Sequence, residues 1–252
     1  VHSVLVLEKR NYLFNWVLIL SLITFISSVT GTFLVRSGIL NSVHTFANDP
    51  SRGLYILIFL TLMITFSFVV FIKRRIKDEF FVEPLSKETF ILGNNWFMMF
   101  YLATVFIGTI YPIFTQVFFN TKISVGPPFY HKLIVPLLIP FLFAMTIGPK
   151  LNWIKSDLKN KKYLILFLMI SFLLSVLIIK NLDIKFLINT ILVASALYLF
   201  FITLRDFFVK GLKNLSQNIA HFGFSLLILS ILLNNVFSSE LITNLKVGES
   251  FK

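Results

Sequence analysis

Seven apolar stretches, each close to the length of a membrane span, are the feature that most constrains how this chain folds. A spanning helix needs about 20 mainly apolar residues. The stretches occupy residues 15–35, 53–72, 95–115, 133–149, 163–179, 185–204 and 218–237. Residues 1–8 have the pattern of the end of one more apolar helix. The sequence therefore predicts an all-α, polytopic membrane protein, a bundle of about seven complete transmembrane helices plus the end of a preceding one.

The composition agrees with a bilayer environment and excludes several chemistries. Of the 252 residues, 57% are hydrophobic and 13% are charged, against roughly 25% charged residues in soluble domains. The chain has no cysteine, which excludes disulfides, thiolate metal sites, cysteine nucleophiles and a c-type haem attached to this chain. Serine hydrolase, ATPase and nicotinamide-dependent activities have no supporting motif.

The basic residues predict the orientation in the membrane. When alternate loops are assigned to one side, that side receives 15 of the 23 lysines and arginines. The positive-inside rule makes this side cytoplasmic, so the formal charge of +12 is explained without a nucleic-acid partner. The outer side receives loops at about 36–52 and 116–132 and the tail.

The domain prediction follows from this orientation. Residues 1–237 form a transmembrane helical region, in contact with membrane lipid. Residues 238–252 are polar with strand-like alternation, and we interpret them as the start of an outer, periplasmic domain. Because the sequence opens within a helix and without methionine, we expect it to be part of a longer protein.

Two histidines have matching depths in the predicted membrane. His2 precedes Lys9 by seven residues and His221 follows Lys213 by eight, which at about 1.5 Å per residue places both roughly 10 to 12 Å from basic residues. Such a pair could bind the two faces of a b-type haem. Each could instead hydrogen-bond a neighbouring helix, and the spacing leaves both alternatives open. Small residues that would let a flat macrocycle approach lie near the second histidine: Ala220, Gly223 and Ser225.

The outer segment at 36–52 carries a third candidate, His44. Apolar residues at helical spacing around it predict a short amphipathic helix on the membrane surface. His44 could ligate a haem presented from outside, or be a solvated loop residue. Arg36 and Arg52 bracket the segment and could pair with haem propionates or extend to the membrane interface. Asp49 followed by Pro50 predicts a helix stop and a turn.

One histidine and the tryptophans have simpler interpretations. His131 follows the turn-forming residues 126–128 and is interpreted as a surface loop residue. Trp16, Trp96 and Trp153 lie at predicted membrane boundaries, where tryptophan is a common interfacial anchor.

A family resemblance runs along the whole chain. The stretch GTFLVRSGILNSVHTFANDPSRGLYILIF at residues 31–59 closely resembles the CcmF family of the cytochrome c maturation system, in the segment after its tryptophan-rich WWD motif. Further elements are similar to the same family in the same order: VHSVLVLEKR (1–10), ISVGPPF (123–129), IGP (147–149) and NIAHFGFSLLILSI (218–231).

The resemblance implies a role in the cytochrome c haem lyase, located in the cell inner membrane, or in the mitochondrial inner membrane if the protein is organellar. Full-length members receive haem from the periplasmic haem chaperone CcmE and act with a CcmH-type subunit that presents apocytochrome c. Haem vinyl groups are joined to the CXXCH thiols, so the chain would be a component of an enzyme that forms thioether bonds. No catalytic side chain is expected, because the reacting thiols belong to the substrate.

The resemblance also assigns roles to three histidines. His2 and His221 match the two transmembrane histidines that ligate a resident haem b, which acts as an electron relay. His44 matches the outer histidine that helps to ligate the incoming, transient haem. Haem iron would thus be bound through His2, His221 and His44.

One part of the family pattern is missing, and other functions stay open. The WWD segment is not present in these residues, so either the sequence is a piece of the protein or another polypeptide supplies that half. A paralogous haem lyase subunit for nitrite reductase shares the same elements. A secondary transporter without haem would need broken helices, which Pro136 and Pro140 could provide. A structural membrane subunit is a further alternative.

Overall fold

The computed structural model describes residues 1–38, 49–74, 83–156, 161–180, 186–210 and 214–238. Within these ranges the chain forms eight α-helices and one short 3-10 helix, and no strand. The helices are α1 (His2–Arg10), α2 (Phe14–Arg36), α3 (Pro50–Arg74), α4 (Lys87–Phe119), α5 (Pro127–Ile147), α6 (Lys162–Ile179), α7 (Phe186–Lys210) and α8 (Leu215–Phe237), with the 3-10 helix at Gly148–Lys150 after α5.

Seven of the described helices, α2 to α8, are long and apolar enough to cross a membrane. This confirms the all-α, polytopic prediction, and each predicted stretch corresponds to one helix. Helices α4 and α5 begin well before their apolar stretches, at Lys87 and Pro127, and α4 continues to Phe119. The outer loop predicted at 116–132 is therefore confined to residues 120–126.

Local chemistry explains both early starts. Ser86 precedes α4 in an extended conformation, and its Oγ accepts a hydrogen bond from the backbone N–H of Thr89 at 3.2 Å; this is N-capping. Helix α5 begins with two prolines, which suit a first turn because its N–H groups have no partner within the helix. Pro136 and Pro140 lie inside α5, as neighbouring groups allow in membrane helices.

The chain divides into two compact units. The first comprises Val1–Leu137 and Lys150–Asp157, and the second comprises Leu138–Pro149 and Leu158–Lys252.

In the first unit, polar contacts join α1 to α4. Asn95 Nδ2 donates to Ser3 Oγ at 2.7 Å, and both side chains are buried. In the last turn of α1, which carries two basic residues, Arg10 Nε lies 3.1 Å from Glu88 Oε1. The same carboxylate accepts a hydrogen bond from the backbone N–H of Ile154, 3.1 Å from each oxygen. Glu88 thus joins α1, α4 and the segment after α5, and it is only 3% exposed.

Helices α2 and α3 meet closely at the ends of the outer segment. A Cβ added to Gly53 would lie 2.8 Å from Ser37 Cα, so only glycine fits without a shift of the backbone. The N–H of Asp49 donates to the carbonyl of Arg36 at 3.0 Å. Asp49 Oδ1 accepts from the N–H of Arg52 at 3.1 Å. Asp49 therefore caps the start of α3, and the helix that Asp49 and Pro50 are predicted to end lies outside the described residues.

In the second unit, α7 packs between α6 and α8. Residues 192–199 of α7 are all buried and include three small side chains, which let helix backbones approach closely. Ser175 Oγ of α6 donates to the carbonyl of Thr190 at 2.6 Å. On the other side of α7, the hydroxyl oxygens of Thr203 and Ser225 are 3.0 Å apart.

Several other hydroxyls among the described residues bond to a carbonyl four residues back in their own helix. Such bonds satisfy the hydroxyl without water. They occur at Ser21, Thr24, Thr30, Thr61, Thr65, Thr104, Thr109, Thr146 and Ser171.

Glu88→Ala is expected to destabilise the first unit by about 2–3 kcal/mol, because it leaves a half-buried guanidinium and a backbone N–H without their carboxylate. Glu88→Gln keeps an acceptor oxygen for Ile154 and should cost less. Thermal unfolding of the detergent-purified native protein measures both. Glu8→Ala is the matched control: the Glu8 side chain is 68% exposed, and its loss should stay within about 0.5 kcal/mol. Equal unfolding midpoints for Glu88→Ala and Glu8→Ala would contradict the anchoring role of Glu88.

Gly53→Ala should cost about 1–3 kcal/mol, because the added methyl group meets the backbone of Ser37. Gly31→Ala is the control within the neighbouring helix α2, since a Cβ at Gly31 meets nothing within 4 Å. The control should be neutral or slightly stabilising through helix propensity. The same thermal unfolding measurement compares the two, and a Gly53→Ala midpoint equal to that of Gly31→Ala would refute the close approach.

Candidate functional site

The first candidate ligand, His2, lies at the start of α1 and faces α4. Its Nδ1 is 3.4 Å from Asn94 Nδ2. The next residue on each helix makes the buried contact between Ser3 and Asn95. Helix α1 is continuous from His2 to Arg10, so the histidine lies about 10 Å along the helix from Lys9, as the spacing predicts.

The second candidate, His221, lies in the second turn of α8 and is half-buried. One turn further along, Ser225 is fully buried beside Thr203 of α7. Phe222 packs against two rings of α7, with centroid distances of 5.6 Å to Phe200 and 6.3 Å to Phe207. This end of α8 is therefore fixed against α7. Lys213, from which the depth of His221 is counted, lies outside the described residues.

The third candidate, His44, lies outside the described residues, as does the amphipathic helix predicted around it. The flanking residues are described: the backbone bond from Asp49 to Arg36 brings the two ends of this segment together. Arg52 Nε forms an ion pair with Asp49 Oδ2 at 3.1 Å. That guanidinium thus has a carboxylate partner at the cap of its own helix, and its side chain is 73% exposed.

The structure corrects the interpretation of His131. Its side chain is exposed as predicted, but the residue lies in the first turns of α5 rather than in a loop. The apolar pattern alone did not extend the helix this far, because the prolines at its start have the composition of a turn.

His2 and His221 are each of a residue type that binds haem iron, because a neutral imidazole nitrogen is a common haem ligand. His2 and His221 each offer an imidazole on a helix whose position is fixed by buried polar contacts. A Cβ added to Gly223 would meet nothing within 4 Å, and Ala220 is exposed. The surface of α8 beside His221 is therefore open to a flat ring. Within the described ranges, no group of three or more histidine, aspartate or glutamate side chains could hold a bare metal ion.

Sequence reasoning missed three polar residues around these helices. Glu88 and Asn94 were taken to precede their helix, although the serine cap at Ser86 and the acidic first turn are recognisable start signals. Asp206 of α7 is 6% exposed and lies 3.6 Å from Arg205. The Arg205 guanidinium also stacks on the Tyr163 ring of α6 at 3.7 Å. An aspartate beside an arginine has no pattern that marks it as buried.

Comparisons with known proteins identify relatives of the chain, although no family model matches it. It is 32% identical to the cytochrome c-type biogenesis protein CcmF of Haemophilus influenzae over 268 residues, covering 99% of this chain and 41% of that protein. It is 43% identical to the cytochrome c-type biogenesis protein CycK of Bradyrhizobium diazoefficiens over 159 residues, covering 62% of this chain and 24% of that protein. It is 30% identical to the cytochrome c-type biogenesis protein CcmF of Escherichia coli, covering 99% of this chain and 40% of that protein.

A solved structure shares the fold. The cytochrome c haem lyase CcmF superposes on this chain with a TM-score of 0.67 and 19% identity, covering 94% of this chain and 36% of that one. At this identity the structural likeness shows the fold alone, and the sequence relatives supply the relationship. The chain spans less than half the length of the relatives it matches. It is a homologue of the CcmF and CycK cytochrome c-type biogenesis proteins.

Proposed function

We propose that this chain is part of a cytochrome c haem lyase in the inner membrane, which receives haem from the haem chaperone CcmE and joins it to the CXXCH thiols of apocytochrome c. The observation that carries the proposal is the match to CcmF over 99% of the chain. The relatives are named for cytochrome c biogenesis, and the structural neighbour is named as a haem lyase.

The proposal extends to the arrangement of the protein. Residues 1–237 form the transmembrane region and 238–252 begin a periplasmic domain. A CcmH-type subunit presents apocytochrome c, and the WWD segment comes from another part of the protein or from a separate subunit. The basic end faces the cytoplasm, in keeping with the positive-inside rule.

His2 and His221 would each supply one imidazole nitrogen to a resident b-type haem. That group, when bound, supplies an electron relay which keeps the iron of the substrate haem reduced. The chain itself holds the two imidazoles: contacts to α4 position α1, and contacts to α7 position α8. His44 would bind the iron of the incoming haem on the outer side.

The coupling reaction needs no nucleophile from this chain. Each cysteine thiol of the substrate adds across a vinyl group: a carbon–sulfur bond forms, the carbon–carbon double bond becomes single, and the thiol hydrogen goes to the other carbon. The protein contributes by holding the two reactants in position. The absence of cysteine from this chain means that none of its own thiols competes for the vinyl groups.

The alternatives have less support. The cytochrome c-type biogenesis protein NrfE of Haemophilus influenzae is 34% identical over 58% of the chain, whereas the CcmF proteins of Haemophilus influenzae and Escherichia coli match over 99% of it. A transporter with broken helices is disfavoured, because α5 continues through both prolines that suggested a break.

His2→Ala and His221→Ala are each expected to abolish the b-type absorption spectrum of the detergent-purified native protein, since each removes one axial ligand. A reduced-minus-oxidised spectrum with a pyridine haemochrome assay measures this. His131→Ala, at an exposed position of α5, is the matched control and should keep full haem content. The resident-haem role would be refuted by a parent protein without haem under adequate haem supply, or by two variants that both keep the parent spectrum.

His44→Ala is expected to keep the b-type spectrum and to reduce cytochrome c maturation to about 10% or less of the parent, in line with the tenfold or greater effects of lost metal ligation. Haem staining of mature cytochrome c in cells that depend on the variant gives the measurement. Normal maturation in this variant would show that the outer histidine does not bind the incoming haem.

A further inference from the structure

We propose that Asn94 is a positioning residue for His2: its Oδ1 accepts the Nδ1–H of the imidazole, and the opposite nitrogen, Nε2, is thereby presented to haem iron. The inference rests on the proposed role of His2 as a haem ligand. It adds a residue of α4 to a site otherwise defined by histidines.

The contact belongs to a series that runs along α1 and α4. Arg10 meets Glu88 at 3.1 Å, Ser3 meets Asn95 at 2.7 Å, and His2 meets Asn94 at 3.4 Å. Between the Arg10–Glu88 pair and the Ser3–Asn95 pair, residue numbers fall on α1 and rise on α4, so the two helices run antiparallel here. The ion pair and the buried Ser3 bond fix the rotation and register of α1 against α4. Under these constraints the histidine ring meets the Asn94 amide.

The tautomer of His2 depends on which amide atom it meets. With Asn94 Nδ2 facing the ring, Nδ1 accepts and the ring proton lies on Nε2, which then has no lone pair for a metal. A half-turn about the Cβ–Cγ bond of Asn94 brings Oδ1 to the same place, and Nδ1–H then donates to it. Histidines that bind metals commonly donate their other N–H to an oxygen acceptor, and Asn94 provides that acceptor in a membrane helix.

The packing of α1 against α4 does not by itself require Asn94. Asn95 already makes the buried bond to Ser3, and Glu88 holds Arg10. Asn94 is half-buried, and its described side-chain contact is with the imidazole. Its amide therefore acts on the ring rather than on the register of the helices.

The experiment uses Asn94→Leu, which removes the acceptor, and Asn94→Asp, which keeps an oxygen acceptor, in the detergent-purified native protein. Asn94→Leu should lower haem retention about tenfold. Without an acceptor the imidazole is a weaker donor to iron. The ferric-to-ferrous ratio at a fixed potential should therefore fall by up to tenfold, a rise in midpoint potential of up to about 59 mV for a one-electron couple.

Asn94→Asp should retain haem and shift the equilibrium in the opposite direction, because a carboxylate accepts more strongly. Asn235→Leu, the same change at an exposed position of α8, is the control and should leave both readouts at parent values. A purely structural role would lower the unfolding midpoint of Asn94→Leu without moving the potential, and that result would overturn the proposal.

A second measurement separates this inference from the proposed function. In haem-free protein with 15N-labelled histidine, the His2 signal is assigned by its loss in His2→Ala. The Nδ1–H tautomer is expected, and Asn94→Leu should reduce its population. A majority Nε2–H tautomer would overturn the positioning role. A parent that binds haem through His2, with an unchanged potential in Asn94→Leu, would overturn this inference and leave the proposed function standing.

Discussion

The bilayer core offers no water to hydrogen-bond, so every polar group placed there needs a partner within the protein. Among the described residues of this chain, many hydroxyls meet the requirement by bonding to their own helix. A few reach a neighbouring helix, as Ser3, Ser175 and Thr203 do. These few bonds fix which faces of the apolar helices meet, because apolar side chains gain little from burial against one another rather than against lipid. The candidate histidines are positioned by the same contacts.

Each described candidate lies on a helix that is held before any cofactor binds. Helix α1 is fixed by Asn95 and by the ion pair of Arg10 with Glu88. Helix α8 is fixed by Ser225 and by aromatic packing against α7. Preorganised ligands lose less conformational entropy on binding. The open surface at Gly223 is compatible with a haem beside His221. If side chains crowded this surface, a histidine held in a fixed position could not accept a planar ring.

Hydropathy predicted the number and centres of the spans, because each span is a long apolar run. It misplaced the starts of α4 and α5, where polar or proline-rich turns continue an apolar helix through capping and backbone geometry. It did not show that Asp49 caps α3, since an aspartate before proline can end one helix or begin the next, and the bond to the N–H of Arg52 is what reveals the cap. The histidines were found by spacing and resemblance. Asn94 was not, because its contact joins residues 92 positions apart in sequence.

Helix α4 connects these observations through its length. Its 33 residues correspond to about 50 Å, more than the roughly 30 Å hydrocarbon core, so the helix extends beyond the core. Glu88 lies beside Arg10, at the end of α1 that carries the basic residues. Asn94 lies six residues further along α4, about 9 Å from Glu88 along the helix axis. The ion pair with Arg10 therefore sets the depth at which α1 places His2 beside that amide. On α1, His2 lies about 10 Å along the helix from Lys9. The distance counted on α1 therefore agrees with the distance counted on α4, and both give a similar depth for the imidazole in the membrane.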